Sequence, residues 1–377
     1  MKIAILTLPL NTNYGGLLQA YALQITLQKM GHEVVVLNQD RTTIQSPFKQ
    51  FKYYGEYLVR RYLLCRNISY KSPSILNQER SEREQYTQLF INKYINTYKI
   101  KNLLNDVPKN IDAIVVGSDQ VWRHYYFTLS YRCGIENAYL KFCEDRTIRR
   151  ISYAASFGSD VWEYSKEETE ECSRLLGLFD AVSVRETSAV GFCQDILRRK
   201  DVQHVLDPTM LLSKDEYIKI IERNKPNKSP GNLMCYILDE TDEKRAIVDA
   251  IAKGRQLVAF RVGSKVEDQK APLSERIQPP LEEWLKGFVD ASFVVTDSFH
   301  ACVFSILFNK PFVVIGNEFR GMSRFMSLLK LFSLEKNLIM NLSDYDDNYE
   351  YSVSTFSYKN LAEMKEKSLT FLKENLS

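Results

Sequence analysis

"KIAILTLPLNTNYGGLLQAYALQITLQKMGHEVVVLN" occupies residues 2–38 and decides the fold class. Residues 2–8 and 32–38 are apolar runs with β-branched side chains, and they predict two buried strands. Between them, residues 17–31 show the periodicity of a helix, which we expect to end at Gly31. A strand, a helix and a second strand in this order predict a right-handed crossover and therefore a parallel sheet.

The same alternation of strand and helix signals continues along the chain in two series. Further strands of the first series are expected at residues 112–122, 149–158, 179–185 and 203–212. The second series places strands and helices at residues 232–238, 243–254, 256–262, 280–291 and 294–317. Asp207-Pro208 marks the connection between the series, because proline restrains the chain and stops regular pairing. We therefore predict an α/β protein of two Rossmann-like domains whose parallel sheets face a cleft.

These signals divide the chain into three parts. We predict an N-terminal Rossmann-like domain at 1–205, a C-terminal one at 206–350, and an amphipathic helix at 351–377 that packs back on the N-terminal domain. Residues 41–105 interrupt the first domain with many Tyr, Lys, Arg and Asn residues and predict a helical, lid-like insertion. Their aromatic and basic character fits either a membrane-surface patch or an amphipathic helix packed on the domain, which is the commoner arrangement.

Composition excludes several classes of protein. The 377 residues are 45% hydrophobic and 26% charged, with a net charge of +3, which argues against a nucleic-acid binder. The seven cysteines contain no CxxC pair, so we expect reduced thiols in a cytoplasmic protein, no metal site and no cofactor. Residues 2–10 are too short and strand-like for a signal peptide, and no apolar run reaches the length of a membrane span.

Candidate functional residues follow the predicted strand ends, because ligands bind outside the carboxyl ends of parallel strands. The first domain offers Asn13, Gly15, Gly16, Asp119, Gln120, Trp122, Ser156 and Arg185; the second offers Ser298, His300, Arg320 and Arg324. Arginine forks onto a carboxylate or phosphate, and glycines before a helix expose backbone amides to an anion. The alternatives are a surface ion pair for Arg185, a tight turn for the glycines and a core position for Trp122.

His300 is the strongest candidate for a catalytic residue. It stands in "TDSFH" (296–300), where a buried strand gives way to a helix that Asp297 or Ser298 would cap. A lone histidine is usually structural, but this turn is flanked almost wholly by apolar residues, where a polar group needs a partner. A phosphate facing His300 would make it a general acid.

Several motifs in this order resemble the polysaccharide pyruvyl transferase family. They are "NYGG" with "LQAYAL", "DAIVVGSDQVW", "YAASFG", "VSVRE", "VLDPT" and "VVTDSFHACVFSILFNKPFVVI". The resemblance implies a GT-B-like fold and transfer of pyruvate from phosphoenolpyruvate to two hydroxyls of one sugar. The product is a cyclic ketal, and phosphate is released. It also implies that Arg185 and His300 are catalytic. Many members carry arginine two residues before this histidine, where Ser298 stands here, so Arg320 or Arg324 is expected to replace that charge.

We therefore predict a pyruvyl transferase of surface or capsular polysaccharide (exopolysaccharide) biosynthesis, acting on a sugar or lipid-linked oligosaccharide. Donor-binding residues would be Arg185, Arg320, Arg324, Ser298, Asn13, Gly15 and Gly16, and acceptor-binding residues Asp119, Gln120, Trp122 and Ser156. A lipid-linked acceptor would bring the protein to the inner face of the membrane. A GT-B glycosyltransferase that uses a nucleotide sugar, or a non-catalytic glycan-binding protein, would suit the same cleft.

Overall fold

Two parallel sheets organise the protein. The computed structural model describes residues 1–42, 51, 54–55, 57–63, 71–316 and 321–377. Within these residues one sheet has seven strands and the other has five. Every neighbouring pair of strands in both sheets is parallel. The predicted α/β architecture with two parallel sheets is confirmed.

The first sheet is built from the N-terminal half of the chain. Its strands are β1 (Lys2–Leu6), β2 (Glu33–Gln39), β3 (Thr97–Ile100), β4 (Ala113–Val116), β5 (Arg149–Ala155), β6 (Ala181–Val184) and β7 (Val202–His204). They lie in the order β3-β2-β1-β4-β5-β6-β7. The winding direction therefore reverses between β1 and β4, and such a switch point opens a crevice at the carboxyl ends of the two strands.

Helices connect these strands. They are α1 (Tyr14–Lys29), α2 (Pro73–Tyr94), α3 (His124–Tyr131), α4 (Lys166–Leu176) and α5 (Thr187–Gly191), the last continued by a π-helical turn at Phe192–Ile196. The side chain of Asn13 caps α1 by accepting from the Gly16 amide at 3.2 Å. Gly31 lies just beyond the end of α1 with φ +89°, a conformation that favours glycine.

The second sheet repeats the plan with a different strand order. Its strands are β8 (Leu233–Tyr236), β9 (Ala259–Arg261), β10 (Phe293–Thr296), β11 (Phe312–Ile315) and β12 (Leu338–Ile339), ordered β12-β11-β10-β8-β9. Its helices are α6 (Lys214–Asn224), α7 (Asp242–Gly254), α8 (Leu273–Arg276), α9 (Leu281–Asp290), α10 (Phe299–Leu307) and α11 (Met322–Leu331), followed by the terminal α12 (Thr355–Leu376). The winding reverses between β8 and β10, which gives this sheet a switch point of its own.

The two domains share one apolar core. Tyr14, at the start of α1, stacks on Tyr236 of the second sheet and packs on Trp284, with ring centroids 6.2 and 5.6 Å apart. Its hydroxyl donates to the carbonyl of Pro279 at 2.6 Å. Because Tyr14 is fully buried, burial raises the pKa of its phenol well above the ordinary value. The first turn of α1 is therefore fixed against the second domain.

The terminal helix α12 returns to the first domain. The hydroxyl of Ser368 accepts from the Leu206 amide at 3.0 Å, and Arg149 donates to the carbonyl of Asn375 at 2.9 Å. The buried Phe371 ring lies 6.3 Å from that of Tyr153 in β5. No helix among the described residues is long and apolar enough to span a membrane.

Two predicted elements differ from the structure. The strand predicted at residues 203–212 ends at His204, because Pro208 lacks an amide and begins a 3₁₀ turn at Pro208–Leu211. The predicted insertion at 41–105 contains the long helix α2, but residues 97–100 form the edge strand β3 of the sheet. Part of the predicted insertion lies outside the described residues.

Replacement of Phe371 by alanine should measure how firmly α12 is anchored. We expect Phe371→Ala to lower the free energy of unfolding by about 3–5 kcal/mol, because a buried aromatic ring leaves a cavity. Chemical denaturation gives this value, with the exposed Glu374→Ala on the same helix as a control that changes it by less than about 0.5 kcal/mol. Equal stability of the two variants would show that α12 does not depend on this contact.

Candidate active site

A cavity of about 630 Å³ lies between the two sheets. Its walls come from the segments that follow β1, β4, β8 and β10, the four strands that border the two switch points. The lining residues include Asn13, Gly15, Gly16, Asp119, Gln120, Asp239, Ser298, Phe299, His300 and Arg324. The cavity therefore lies where ligands of parallel sheets bind, outside the carboxyl ends of the strands.

The turn between β10 and α10 forms one wall. Asp297 is buried and accepts from the amides of Leu238 and Asp239, at 2.7 and 3.1 Å, and from Lys244 at 2.7 Å. Its carboxylate thus ties the ends of β8 and β10 together and does not cap α10. Ser298 is the N-cap residue of that helix but makes no side-chain capping bond.

The amino end of α10 consequently has unused hydrogen-bond donors. The amides of Phe299, His300 and Ala301 have no acceptor among the residues that the structure describes. They stand at the positive end of the helix dipole, and the lining of the cavity includes Phe299 and His300. A helix end of this kind binds anions.

His300 lies at this helix end with only 7% of its surface exposed. Its Nε2 is 3.5 Å from Oδ2 of Asp207, too far for a full hydrogen bond, and has no hydrogen-bond partner within the described part of the chain. The ring packs so closely on α1 that a Cβ at Gly15 would stand 2.0 Å from Nδ1. Glycine is therefore needed at position 15 because a side chain would collide with the imidazole. The backbone conformation does not require it, since the φ of Gly15 is not in the left-handed region.

Asp207 joins His300 to Arg185. It is fully buried, accepts from Arg185 Nη1 at 2.7 Å, and holds the hydroxyl and amide of Thr209 at 2.7 and 3.0 Å. Burial alone would raise the pKa of this carboxyl, but His300 and Arg185 together hold it well below its usual range. The charged form of Asp207 is thus the one that the folded protein keeps.

Arg185 lies behind the cavity and is absent from its lining. Its side chain is 2% exposed, and its guanidinium carbon is 4.5 Å from the centroid of Phe299. Burial lowers the pKa of Arg185, but the charges of Asp207, Glu186 and Asp119 more than offset this and raise it. Arg185 does form an ion pair with Glu186, at 3.9 Å, but both side chains are buried, so the predicted surface location of that pair is wrong.

Arg324 is the cation that lines this part of the cavity. It is buried, and its guanidinium carbon lies 5.6 Å from the Phe299 centroid. Burial, followed by the charge of Arg185, lowers its pKa to about 10. An anion beside Arg324 would oppose both effects. Arg320, the other predicted replacement for the missing arginine, lies outside the described residues.

Comparison with known proteins shows the family to which the chain belongs. A family model described as polysaccharide pyruvyl transferase matches residues 13–318. The chain belongs to the polysaccharide pyruvyl transferase family. No curated protein matches it.

Solved structures resemble the chain in fold. It is similar to a sucrose-phosphate synthase from Thermosynechococcus elongatus, with 9% identity, 99% of this chain and 98% of that chain covered, and a TM-score of 0.51. It is also similar to a glycosyltransferase from Rickettsia africae, with 11% identity, 100% and 94% coverage and a TM-score of 0.42. At 9% identity the likeness to the synthase concerns the fold alone, and the two parallel sheets have the two-domain arrangement of the GT-B fold.

The remaining predicted residues of this pyruvyl transferase family member fall into two groups. Asp119 and Gln120 line the cavity; Asp119 accepts from Asn13 at 3.4 Å, and Gln120 from Arg123 at 3.0 Å. Asp119 has φ 66°, a left-handed conformation uncommon for a residue other than glycine. Its backbone strain is compatible with a functional position.

Trp122 and Ser156, predicted to bind the acceptor, lie in the interior instead. Trp122 is fully buried and stacks on Tyr139 with centroids 5.0 Å apart, so it occupies the core position that we named as the alternative. Ser156 is also fully buried and donates to Glu186 at 2.8 Å. Neither residue lines the cavity.

Sequence reasoning missed Asp207 as a site residue. It interpreted Asp207-Pro208 as a connection between domains, although "VLDPT" was one of the motifs that carried the family resemblance. Arg41 and Arg83, which also line the cavity, were hidden in the insertion. No group of three His, Cys, Asp or Glu side chains in the described part of the chain is arranged to hold a metal ion.

Asp207→Asn should expose the energetic role of the buried carboxylate. We expect the free energy of unfolding at pH 7 to fall by about 3–5 kcal/mol, because Arg185 loses its closest counter-charge. The folded state lowers the pKa of Asp207, so its stabilisation is fully present above about pH 4 and is lost as the pH falls further. The difference between wild type and variant should shrink over that range.

Chemical denaturation at several pH values measures this difference. The matched control is Asp195→Asn, whose exposed carboxylate lies 3.9 Å from an exposed lysine and should contribute less than about 0.5 kcal/mol. Equal stability of wild type and Asp207→Asn at pH 7 would contradict a stabilising role for the ion pair.

Proposed function

We propose that the protein transfers pyruvate from phosphoenolpyruvate to two hydroxyls of one sugar, forming a cyclic ketal. One hydroxyl oxygen bonds to C2 of the enol while a proton is added to the methylene carbon, which becomes a methyl group. The second hydroxyl oxygen then displaces phosphate at the same carbon. The two hydroxyl protons end on the methyl group and on the departing phosphate, so atoms and charge balance.

The observation that carries this proposal is the placement of His300 in a chain that belongs to this family. A buried histidine stands at the amino end of a helix and lines the cavity, with the carboxylate of Asp207 3.5 Å from its Nε2. Such a group is suited to transfer a proton to the oxygen of a departing phosphate. The unused amides of α10 would hold the phosphate oxygens beside it.

Arg324 is our candidate for holding the second charge of the donor. Phosphoenolpyruvate carries a carboxylate as well as a phosphate, and Arg324 and the end of α10 line the same cavity. A guanidinium can bind either group through two parallel hydrogen bonds. Ser298, Asn13, Gly15 and Gly16 complete the donor side, and Asp119 and Gln120 are candidates for binding acceptor hydroxyls.

Arg185 and Asp207 act as positioning residues in this proposal. Arg185 pairs with Asp207, and Asp207 stands 3.5 Å from Nε2 of His300, so the pair would orient the imidazole from behind. This role differs from the direct contact with the donor that the family resemblance implied for Arg185. The side chain of Arg185 does not reach the lining of the cavity.

We place the reaction in the biosynthesis of a surface or capsular polysaccharide, with a lipid-linked sugar as acceptor. The test incubates the protein with phosphoenolpyruvate and a panel of free, phosphorylated and prenyl-diphosphate sugars. Mass spectrometry should detect an added pyruvate ketal, with one phosphate released for each ketal formed. Thermal stabilisation by nucleotide sugars but not by phosphoenolpyruvate, with no ketal formed, would favour a glycosyltransferase. Contact with a membrane surface stays a prediction.

His300→Ala should remove the acid without unfolding the protein. We expect turnover to fall by about a hundred- to ten-thousand-fold while circular dichroism and thermal melting stay close to wild type. The matched control is His124→Ala, because His124 pairs with Glu168 outside the cavity and should not affect turnover. Near-native turnover of His300→Ala would exclude His300 as the catalytic acid.

Gly15→Ala should act on His300 indirectly. The added methyl group would lie 2.0 Å from Nδ1 and must displace the imidazole, so we expect turnover to fall by about a hundredfold. Gly191→Ala adds a methyl group to open space and serves as the control in the same turnover assay. Unchanged turnover in Gly15→Ala would mean that the position of the imidazole does not limit the reaction.

A further inference from the structure

A second set of arginines borders the cavity, and the reaction described above uses none of them. Arg41 and Arg83 line the cavity, Arg83 from helix α2 of the first domain. Arg80 lies one turn earlier on that helix and donates to the backbone carbonyl of Arg41. Arg276, at the end of α8, comes from the second domain. We refer to Arg41, Arg80, Arg83 and Arg276 as the arginine cluster.

Both domains contribute arginines to the cluster, and a backbone hydrogen bond joins the two domains there. The amide of Gln278, two residues after Arg276, donates to the backbone carbonyl of Arg83 at 3.1 Å. Gln278 also lines the cavity. The backbone of Arg83 is thus tied to the segment that carries Arg276, and the charge of Arg276 acts on Arg83 across the domain boundary.

The cluster has fewer counter-charges than cations. The charges of Glu84 and Asp40 act on its arginines, and Arg41 already pairs with Glu84 at 2.9 Å. The side chains of Arg83 and Arg276 make no hydrogen bond or ion pair with any residue that the structure describes. Arg276 is only 8% exposed, and the Nε atoms of both arginines are buried without a partner.

This arrangement is costly for a protein that has no anion to bind. A buried donor without an acceptor forgoes its interaction with water, and neighbouring cations repel. Burial lowers the pKa of Arg83, and after burial the charge of Arg276 contributes most to that shift. An arginine that served the fold alone would be paired, as Arg41 is with Glu84. A bound anion would supply the missing acceptors and counter-charge.

We propose that the arginine cluster binds the phosphate or diphosphate group of a glycosyl phosphate acceptor, at a subsite separate from the donor site. That the bound molecule is the acceptor rests on the proposed function, whereas the binding of a phosphate group rests on the arginine cluster alone. Several guanidinium groups at one place suit the multiple oxygens of a diphosphate. Arg41 and Arg83 of the cluster line the same cavity as His300, so a sugar carried on that diphosphate would lie toward His300. A sugar nucleotide and a prenyl-diphosphate sugar share this chemistry.

Binding of inorganic pyrophosphate tests the subsite without any turnover. Isothermal titration calorimetry should give an affinity that falls by about 10- to 100-fold in Arg83→Gln and in Arg276→Gln, because each loses charge-assisted hydrogen bonds. Arg245→Gln is the matched control, since Arg245 is an exposed arginine of the second domain, 3.1 Å from Asp242 and outside the cavity. It should bind pyrophosphate as wild type does.

Two results would overturn the proposal. One is an unchanged affinity for pyrophosphate in both cluster variants. The other is an affinity that falls in Arg324→Gln but not in Arg83→Gln, since the ion would then occupy the donor site. Thermal melting without ligand verifies that each variant is folded. Arg83→Lys provides a second variant: it keeps the charge but lacks the fork, so its affinity should lie between those of wild type and Arg83→Gln.

Acceptor kinetics separate this proposal from the reaction itself. The acceptors to compare are a free sugar, a glycosyl phosphate, a sugar nucleotide and a short-chain prenyl-diphosphate sugar. Arg83→Gln should raise the KM for the phosphorylated acceptors about tenfold or more and leave the KM for the free sugar unchanged. Preference for the prenyl-diphosphate sugar over the sugar nucleotide would identify the lipid-linked source. An equal effect on free and phosphorylated sugars contradicts the subsite. If pyrophosphate binding weakens in the arginine variants but no ketal forms with any acceptor, the subsite is supported and the proposed reaction is refuted.

Discussion

The carboxylate of Asp207 is the centre on which the candidate site depends. It is buried between the guanidinium of Arg185 at 2.7 Å and the imidazole of His300 at 3.5 Å. A buried arginine without a counter-charge would destabilise the first domain, and a buried carboxylate without donors would be equally costly. The two requirements are met together at the boundary between the domains. His300, which belongs to the second domain, thereby contacts a charge network that begins in the first.

The network constrains the distance between the domains. The imidazole of His300 must approach α1 closely to stand beside Asp207, and only glycine at position 15 leaves room for it. Tyr14, the preceding residue, is buried against Tyr236 and Trp284 of the second domain. Packing and electrostatics therefore fix the first turn of α1 at the same place. The short "NYGG" segment serves the domain contact as well as the lining of the cavity.

The sequence predicted the parts that local patterns encode. Apolar runs at strand positions and the βαβ unit gave the two parallel sheets, and the strand ends gave His300, Asp119 and Gln120 as residues of one cavity. Burial of Trp122 and Ser156 depends on how the chain turns after a strand, which residue type does not reveal. The short helix α3 lacks a clear amphipathic pattern. The pairing of Arg185 with Asp207 joins residues that follow the strands β6 and β7, and only the assembled sheet brings them together.

The serine at position 298 fits the distribution of charge around Phe299. Arg185 and Arg324 both lie against that ring, at 4.5 and 5.6 Å, and both are buried. The pKa of Arg324 is already lowered to about 10 by burial and by the charge of Arg185. A third guanidinium at position 298 would add repulsion to this small space, whereas the short side chain of serine adds none. In the proposed reaction, Arg324 of α11, which lines the same cavity, would replace the cation that many family members carry before the histidine.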